Sequence, residues 1–251
     1  MRTSAVICAA ISASTTYAAA IASRSALPPF FLVAGDSTTA KGGGWGDGFL
    51  ETTLSSPASG INYGHSGTTT VSFRALGDWD TVLEEAEGHK YAYDVFVTIQ
   101  FGHNDQKPAA NISLSQFAAN LATFVDEVRS VGAEPILISS LTRRTFSGDP
   151  PRVIENLANE RNATISVALE RETKWIDLNK ASTDYVNAIG PDASHVYNLA
   201  PDDNTHLNDW GSVVFGRMVS DLLVEKYGDV FEQWTVENQT LSEAIEAGLP
   251  A

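Results

Sequence analysis

The chain is 251 residues long, with 43% hydrophobic residues, 16 Lys and Arg against 31 Asp and Glu, and a formal net charge of −15. One sizeable core, and hence one folded domain, is the expectation at this length. The acidic balance argues against nucleic acid or an anionic membrane surface as a partner, since both demand basic patches, and a polyanionic substrate would need local cations to overcome the overall field.

The first 22 residues read as a secretory signal. Arg2 precedes an Ala-rich apolar stretch over 5–22, and Ser12, Ser14, Thr15 and Thr16 interrupt that stretch too often for a bilayer span. Ala20-Ile21-Ala22 has the small-x-small pattern of a cleavage site. Residues 1–22 are therefore expected to be removed, leaving a secreted, extracellular chain that starts near Ser23 with a charge of about −16. The one cysteine, Cys8, lies in that signal, so the mature chain is expected to have no disulfide and no thiol nucleophile. Sequons at Asn111, Asn162 and Asn238 fit a secreted glycoprotein.

Phe30 to Ala34 is an apolar strand that ends in Gly35-Asp36-Ser37; Lys41-Gly42-Gly43-Gly44 then reads as a loop and 45–54 as a helix. Ile61-Asn62-Tyr63 is a short strand followed by Gly64-His65-Ser66-Gly67. The nearly continuous apolar run 95–101 has the character of a strand buried on both faces, and 136–140 and 175–178 supply two more strands. Helices are expected over 113–131, 153–169 and 209–226. In the first of these, Phe117, Leu121, Phe124, Val125 and Val128 share one stripe, Ser113 and Gln116 have capping-box spacing, and Gly132 stands past the end. This alternation predicts an α/β fold, a three-layer α/β/α sandwich around a mainly parallel five-stranded sheet. The folded domain would span 23–228, with 229–251 an acidic extension of no readable role, anchored to the body by Trp234.

In such a sheet, sites form outside the carboxyl ends of the strands. Ser37 follows the first strand, Gly64 to Gly67 the second, and Gly102-His103-Asn104-Asp105 the third, so these loops share one edge. A serine at a strand end that opens into a turn suits a nucleophile whose own N–H faces a developing oxyanion. His206, in a polar loop before the last long helix, has Asp203 three residues back. That carboxylate can fold under the imidazole, accept Nδ1–H and leave Nε2 to take the serine proton, although Asp203 or Asn204 could instead simply cap a turn. The backbone N–H groups of Ser37 and Gly67 and the Asn104 amide, from three adjacent strand ends, are candidates for an oxyanion hole. Arg143 and Arg144, after the fourth strand, are candidates to line the cleft and meet uronate carboxylates, with solvated loop arginines as the alternative. His103 is read as bracing its loop through backbone contacts rather than binding a metal, because Asn rather than Asp follows it.

Gly35-Asp36-Ser37, Gly67, Gly102-His103-Asn104-Asp105 and Asp203-Asn204-Thr205-His206 resemble, in order and spacing, the four blocks of the SGNH (GDS-type) hydrolase superfamily over nearly the whole chain from Phe30 to about Lys226. Within it, Thr38 in place of the lipase-type Leu, Ala40-Lys41, Trp45-Gly46, Phe101 before Gly102, and Leu141 to Phe146 resemble the rhamnogalacturonan acetylesterases. The resemblance implies the flavodoxin-like hydrolase fold, Ser37 as nucleophile, His206 as base, Asp203 as its orienting acid, and Gly67 and Asn104 in the oxyanion hole. Thr68-Thr69-Thr70 replaces the more basic or polar residues associated with pectin-active relatives, which bears on the sugar recognised.

The expected activity is removal of acetyl groups from an acetylated pectic polysaccharide through an acetyl-enzyme, by a monomer with no metal or organic cofactor. The alternatives are an esterase on acetylated xylan or a short lipid ester, and a non-catalytic carbohydrate-binding protein on a hydrolase fold. An obvious apolar lid helix is missing from the sequence, which disfavours a lipase. A binding module has no need of a carboxylate-oriented imidazole beside a serine.

Overall fold

Strand β1 (Pro29–Gly35) is buried along its whole length, and its side chains divide between two cores. Phe31 and Val33 enter one; Phe30, Leu32 and Ala34 enter the other. Alternation with period two puts successive side chains on opposite faces, and a strand covered on both faces reads as continuously apolar. The computed structural model describes residues 27–251. The expected signal peptide lies outside those described residues.

After β1 come helix α1 (Gly46–Thr52), strand β2 (Ser59–Asn62), helices α2 (Thr70–Ala75) and α3 (Asp78–His89), and strand β3 (Asp94–Gln100). Helix α4 (Leu114–Ser130), strand β4 (Glu134–Ile138), a small hairpin of β5 (Phe146–Ser147) and β6 (Arg152–Val153), and helix α5 (Ala158–Glu170) follow. Strand β7 (Lys174–Ile176) and helices α6 (Leu178–His195), α7 (Asp209–Phe231) and α8 (Gln239–Glu246) complete the chain. The five-stranded sheet has the order β2-β1-β3-β4-β7, and all its pairings are parallel. The expected three-layer α/β/α sandwich is the architecture observed.

The order reverses between β1 and β3, since β1 connects outward to β2 on one side and β3 to β4 on the other. At that switch point the loops diverge and leave a crevice. Ser37 and Asn104 follow the two strands that flank it.

Helix α4 has the cap expected of it, with Ser113 Oγ accepting the Gln116 N–H, and Gly132 takes φ +86° just past its end. The helix read over 153–169 is a correction. Val153 pairs with Phe146 in the hairpin, and helical structure starts only at Ala158. Pairing between neighbouring segments overrides local propensity there. The long helix α6 carries a Gly190-Pro191 break and was not anticipated. In the extension, Phe231 rather than the Trp234 ring is the deep anchor, at 3% exposure. Trp234 contributes its carbonyl, which accepts the Ser55 N–H at 2.8 Å, and Leu241 of α8 reaches the same core.

Candidate active site

The turn after β1 is built around Asp36, which is fully buried. Its Oδ1 accepts the Thr38 N–H at 2.9 Å and the Thr38 hydroxyl at 2.8 Å. Thr38 Oγ1 in turn accepts from the Gln100 amide, whose Oε1 receives the indole N–H of the buried Trp45 at 2.8 Å. Among the described residues Asp36 Oδ2 has no hydrogen-bond partner, and it faces His103 Nδ1 at 3.5 Å, too long for a hydrogen bond but close enough for charge attraction. Burial pushes the Asp36 carboxyl up, yet His103 and the Thr38 donors outweigh it and hold it below its ordinary value. This network locks the backbone on either side of Ser37.

Ser37 itself is 7% exposed, and its Oγ lies 2.8 Å from His206 Nε2. His206 Nδ1 lies 2.8 Å from Asp203 Oδ2, while Asp203 Oδ1 accepts the backbone N–H of His206 at 2.9 Å and of Thr205 at 3.0 Å. One carboxylate therefore holds both the imidazole and the turn that carries it. Partial burial works against its charge, but these donors prevail and keep the Asp203 carboxyl below the ordinary value. With Nδ1–H donated to Asp203, Nε2 is left as the acceptor for the serine proton.

The loops after β2 and β3 form the facing wall. Gly67 has φ +84°, a conformation that side chains rarely adopt, and a Cβ there would meet open space, so the backbone N–H is approachable. The Asn104 Nδ2 amide donates to the Thr68 carbonyl at 2.8 Å. Among the described residues neither the Ser37 N–H nor the Gly67 N–H has a protein acceptor. Ser37, Gly67, Asn104, His103, Arg143 and His206 line one cleft of about 520 Å³. A larger hollow of about 650 Å³ lies between α6, α7 and α8, but Asp184, Asp221, Glu225 and Glu246 line it and no nucleophile–base pair is there. Chemistry rather than volume identifies the site.

Arg144 and His103 take positions other than those expected of them, and Arg143 takes the expected one. Arg144 has 0% exposure and does not reach the cleft. Its Nε donates to Asn198 Oδ1 at 2.7 Å and its Nη2 to the His206 carbonyl at 2.6 Å, so it supports the histidine loop from behind. Burial brings its guanidinium down to about 10, with Asp203 pulling the other way, so it remains a cation at neutral pH. Arg143 does line the cleft, where its guanidinium donates to Asn156 Oδ1 and the His103 carbonyl. His103 is 2% exposed, and among the described residues neither ring nitrogen has a hydrogen-bond partner; it faces the buried Asp36 carboxyl instead of the backbone contact expected.

The Thr68-Thr69-Thr70 segment, read as a departure in sugar recognition, is scaffold. Thr69 caps α2 in a reciprocal box with Ser72, and Thr70 donates its N–H and hydroxyl to Asp105 Oδ1 at 2.9 and 2.6 Å. Asp105 thus welds the β2 loop to the β3 loop. Thr69 and Ser72 at capping spacing were a visible signal for this helix start, whereas Asn198, nineteen positions beyond Asn179 and in no motif, carried none.

The chain matches the GDSL-like lipase/acylhydrolase family over residues 33–213. It is 30% identical over 213 residues to the rhamnogalacturonan acetylesterase RhgT of Bacillus subtilis (strain 168), covering 77% of this chain and 89% of that protein. A crystal structure of YxiM from Bacillus subtilis superposes with a TM-score of 0.69 at 23% identity, over 80% of this chain and 57% of that one. A catalytic mutant of Axe2, an acetylxylan esterase from Geobacillus stearothermophilus, superposes with a TM-score of 0.54 at 17% identity, over 80% of this chain and 94% of that one. The two structures share the fold, and the family match carries the assignment. The chain belongs to the GDSL-like lipase/acylhydrolase family of the SGNH superfamily and is an esterase or acylhydrolase of that family.

Proposed function

We propose that this esterase is secreted and removes acetyl groups from a pectic polysaccharide of the rhamnogalacturonan type, with Ser37, His206 and Asp203 as its catalytic triad. The observation that carries the chemistry is the unbroken relay from Asp203 Oδ2 to His206 Nδ1 and from His206 Nε2 to Ser37 Oγ, 2.8 Å at each step. Ser37 attacks the acetyl carbonyl while Nε2 takes its proton, and the sugar hydroxyl leaves with that proton returned to it. Water activated by the same nitrogen then splits the acetyl-enzyme and releases acetate. The N–H groups of Ser37 and Gly67 and the Asn104 amide receive the negative charge on the carbonyl oxygen in each tetrahedral intermediate.

The polysaccharide class is supported by the similarity to RhgT and by Arg143, a guanidinium set in the cleft of an acidic chain, where a uronate carboxylate would pair with it. Secretion rests on the N-terminal signal and on sequons whose asparagines, Asn111, Asn162 and Asn238, are all exposed. Acetate release from acetylated rhamnogalacturonan, homogalacturonan, xylan and a short lipid ester tests the reading. Release should be fastest from rhamnogalacturonan and fall by several orders of magnitude in Ser37→Ala. Preference for xylan or the lipid ester would overturn the substrate, and retained activity in a folded Ser37→Ala protein would overturn the mechanism.

A further inference from the structure

The Asn104 carboxamide is held between two groups that can each play only one part. Thr68 contributes a carbonyl, which only accepts, and Nδ2 donates to it at 2.8 Å. Lys107 contributes an ammonium, which only donates, and it reaches Oδ1 at 2.6 Å. These partners fix which end of the amide is nitrogen, and therefore which way its N–H groups point. A primary amide has two N–H donors and one is engaged by Thr68, so among the described residues a second is left without an acceptor on a side chain whose residue lines the cleft.

Lys107 is carried to this position by local geometry. Its own N–H donates to the Asn104 carbonyl at 3.1 Å, closing a turn that folds the lysine back over the asparagine. Pro108 follows and restricts Lys107 to an extended backbone, observed at φ −67°, ψ 133°. The side chain is exposed but lines the cleft with Ser37 and His206.

We propose that Lys107 is a positioning residue for the oxyanion hole: by donating a charge-assisted hydrogen bond to Asn104 Oδ1 it orients and polarises the amide that stabilises the tetrahedral intermediate. Drawing electron density toward Oδ1 makes the Nδ2 hydrogens better donors, and hydrogen bonds in a chain strengthen one another in this way. The benefit appears when the oxyanion forms, so it belongs to the transition state and should be read in kcat. This inference rests on the esterase reading of the site and is independent of which polysaccharide is the substrate.

The test uses the neutral ester p-nitrophenyl acetate, which offers Lys107 no carboxylate to recognise. Lys107→Met should lower kcat about tenfold, less than the 10²–10³ that loss of a whole oxyanion donor costs, with KM changed by less than about twofold. Inactivation by diethyl p-nitrophenyl phosphate, whose phosphoryl oxygen enters the same hole, should slow by a similar factor. Lys107→Arg should recover most of both. In an Asn104→Ala background, Lys107→Met should have no further effect, because the lysine acts through the amide. Unchanged kcat, an equal additional loss in the Asn104→Ala background, or a change confined to KM on acidic polysaccharide would each overturn the proposal. A melting curve for Lys107→Met separates these outcomes from misfolding. If p-nitrophenyl acetate is hydrolysed but rhamnogalacturonan is not, the proposed substrate fails while the Lys107 result still counts.

Discussion

Ser37 and His206 meet at 2.8 Å across the cleft, yet they are held there by different means. The serine wall is the sheet itself. β1 and β3 pair over seven residues, and the Asp36, Thr38, Gln100 and Trp45 network binds the turn to both strands. The histidine wall is an irregular loop between α6 and α7, with one isolated bridge between Asn198 and Leu207 as its strand-like contact. What holds it is a set of separate tethers, from the buried Arg144 guanidinium and from single backbone hydrogen bonds. Arg144 binds the His206 carbonyl and Asn198 from behind, the Arg144 N–H donates to the Asn204 carbonyl at 2.8 Å, and the Leu207 N–H donates to the Gly43 carbonyl at 2.8 Å. Backbone ladders give Ser37 a fixed place, and buried tethers give His206 a place that single substitutions can undo.

The sharpest separation of the two walls comes from their carboxylates. Under the proposed triad, Asp203→Asn removes the charge that would stabilise the imidazolium and set its tautomer, so kcat should fall by about 10⁴ with little change in melting temperature. A stopped assay together with calorimetry would check this; a large loss of stability would show that Asp203 is structural first. Next, Arg144→Leu leaves Asn198 Oδ1 without its donor in a buried setting and the His206 carbonyl with the Leu199 N–H alone. It should cost about 3 kcal/mol of stability and lower kcat by 10- to 100-fold, and Arg144→Lys should not recover it because an ammonium cannot span both acceptors. Full activity in Arg144→Leu would mean that the loop holds itself.

Asp36→Asn probes the sheet side and should act mainly on stability, by about 2 kcal/mol at neutral pH. The folded carboxyl sits below its ordinary 3.8, so the ionised form contributes stability above that value and loses it as pH falls through the folded value. The difference in melting temperature between the two proteins should therefore be widest near neutrality and narrow below about pH 3.8. A constant difference across that range would assign the effect to packing. The smallest expected change is Arg143→Ala. It should raise KM on acetylated pectic fragments about three- to tenfold and leave p-nitrophenyl acetate unaffected, with the gap closing as salt shortens the screening length below about 8 Å. Equal losses on both substrates would place Arg143 in the chemistry or the fold.

Much of the serine wall was legible before any coordinates. A continuous apolar run, a glycine turn and a serine after it are local features, and local features are what periodicity and turn chemistry encode. Asp203 and His206 were legible too, because a spacing of three can close in a single turn. The neighbours Arg143 and Arg144 could not be told apart, since which of two adjacent loop residues turns inward depends on Asn198 and His206, more than fifty positions away in sequence. The same holds for the hairpin of Phe146 and Val153, where a partner strand decides the structure. By itself, then, the sequence determined the α/β class, the sheet edge on which Ser37 and Asn104 lie, and the turn that sets Asp203 against His206, because each is written in short-range pattern. Only the tertiary structure decided that Arg144 is a buried tether, that Thr70 and Asp105 weld two loops, and that Lys107 reaches the Asn104 amide. Those outcomes depend on where desolvated charges find partners, and that is settled only when distant segments pack together.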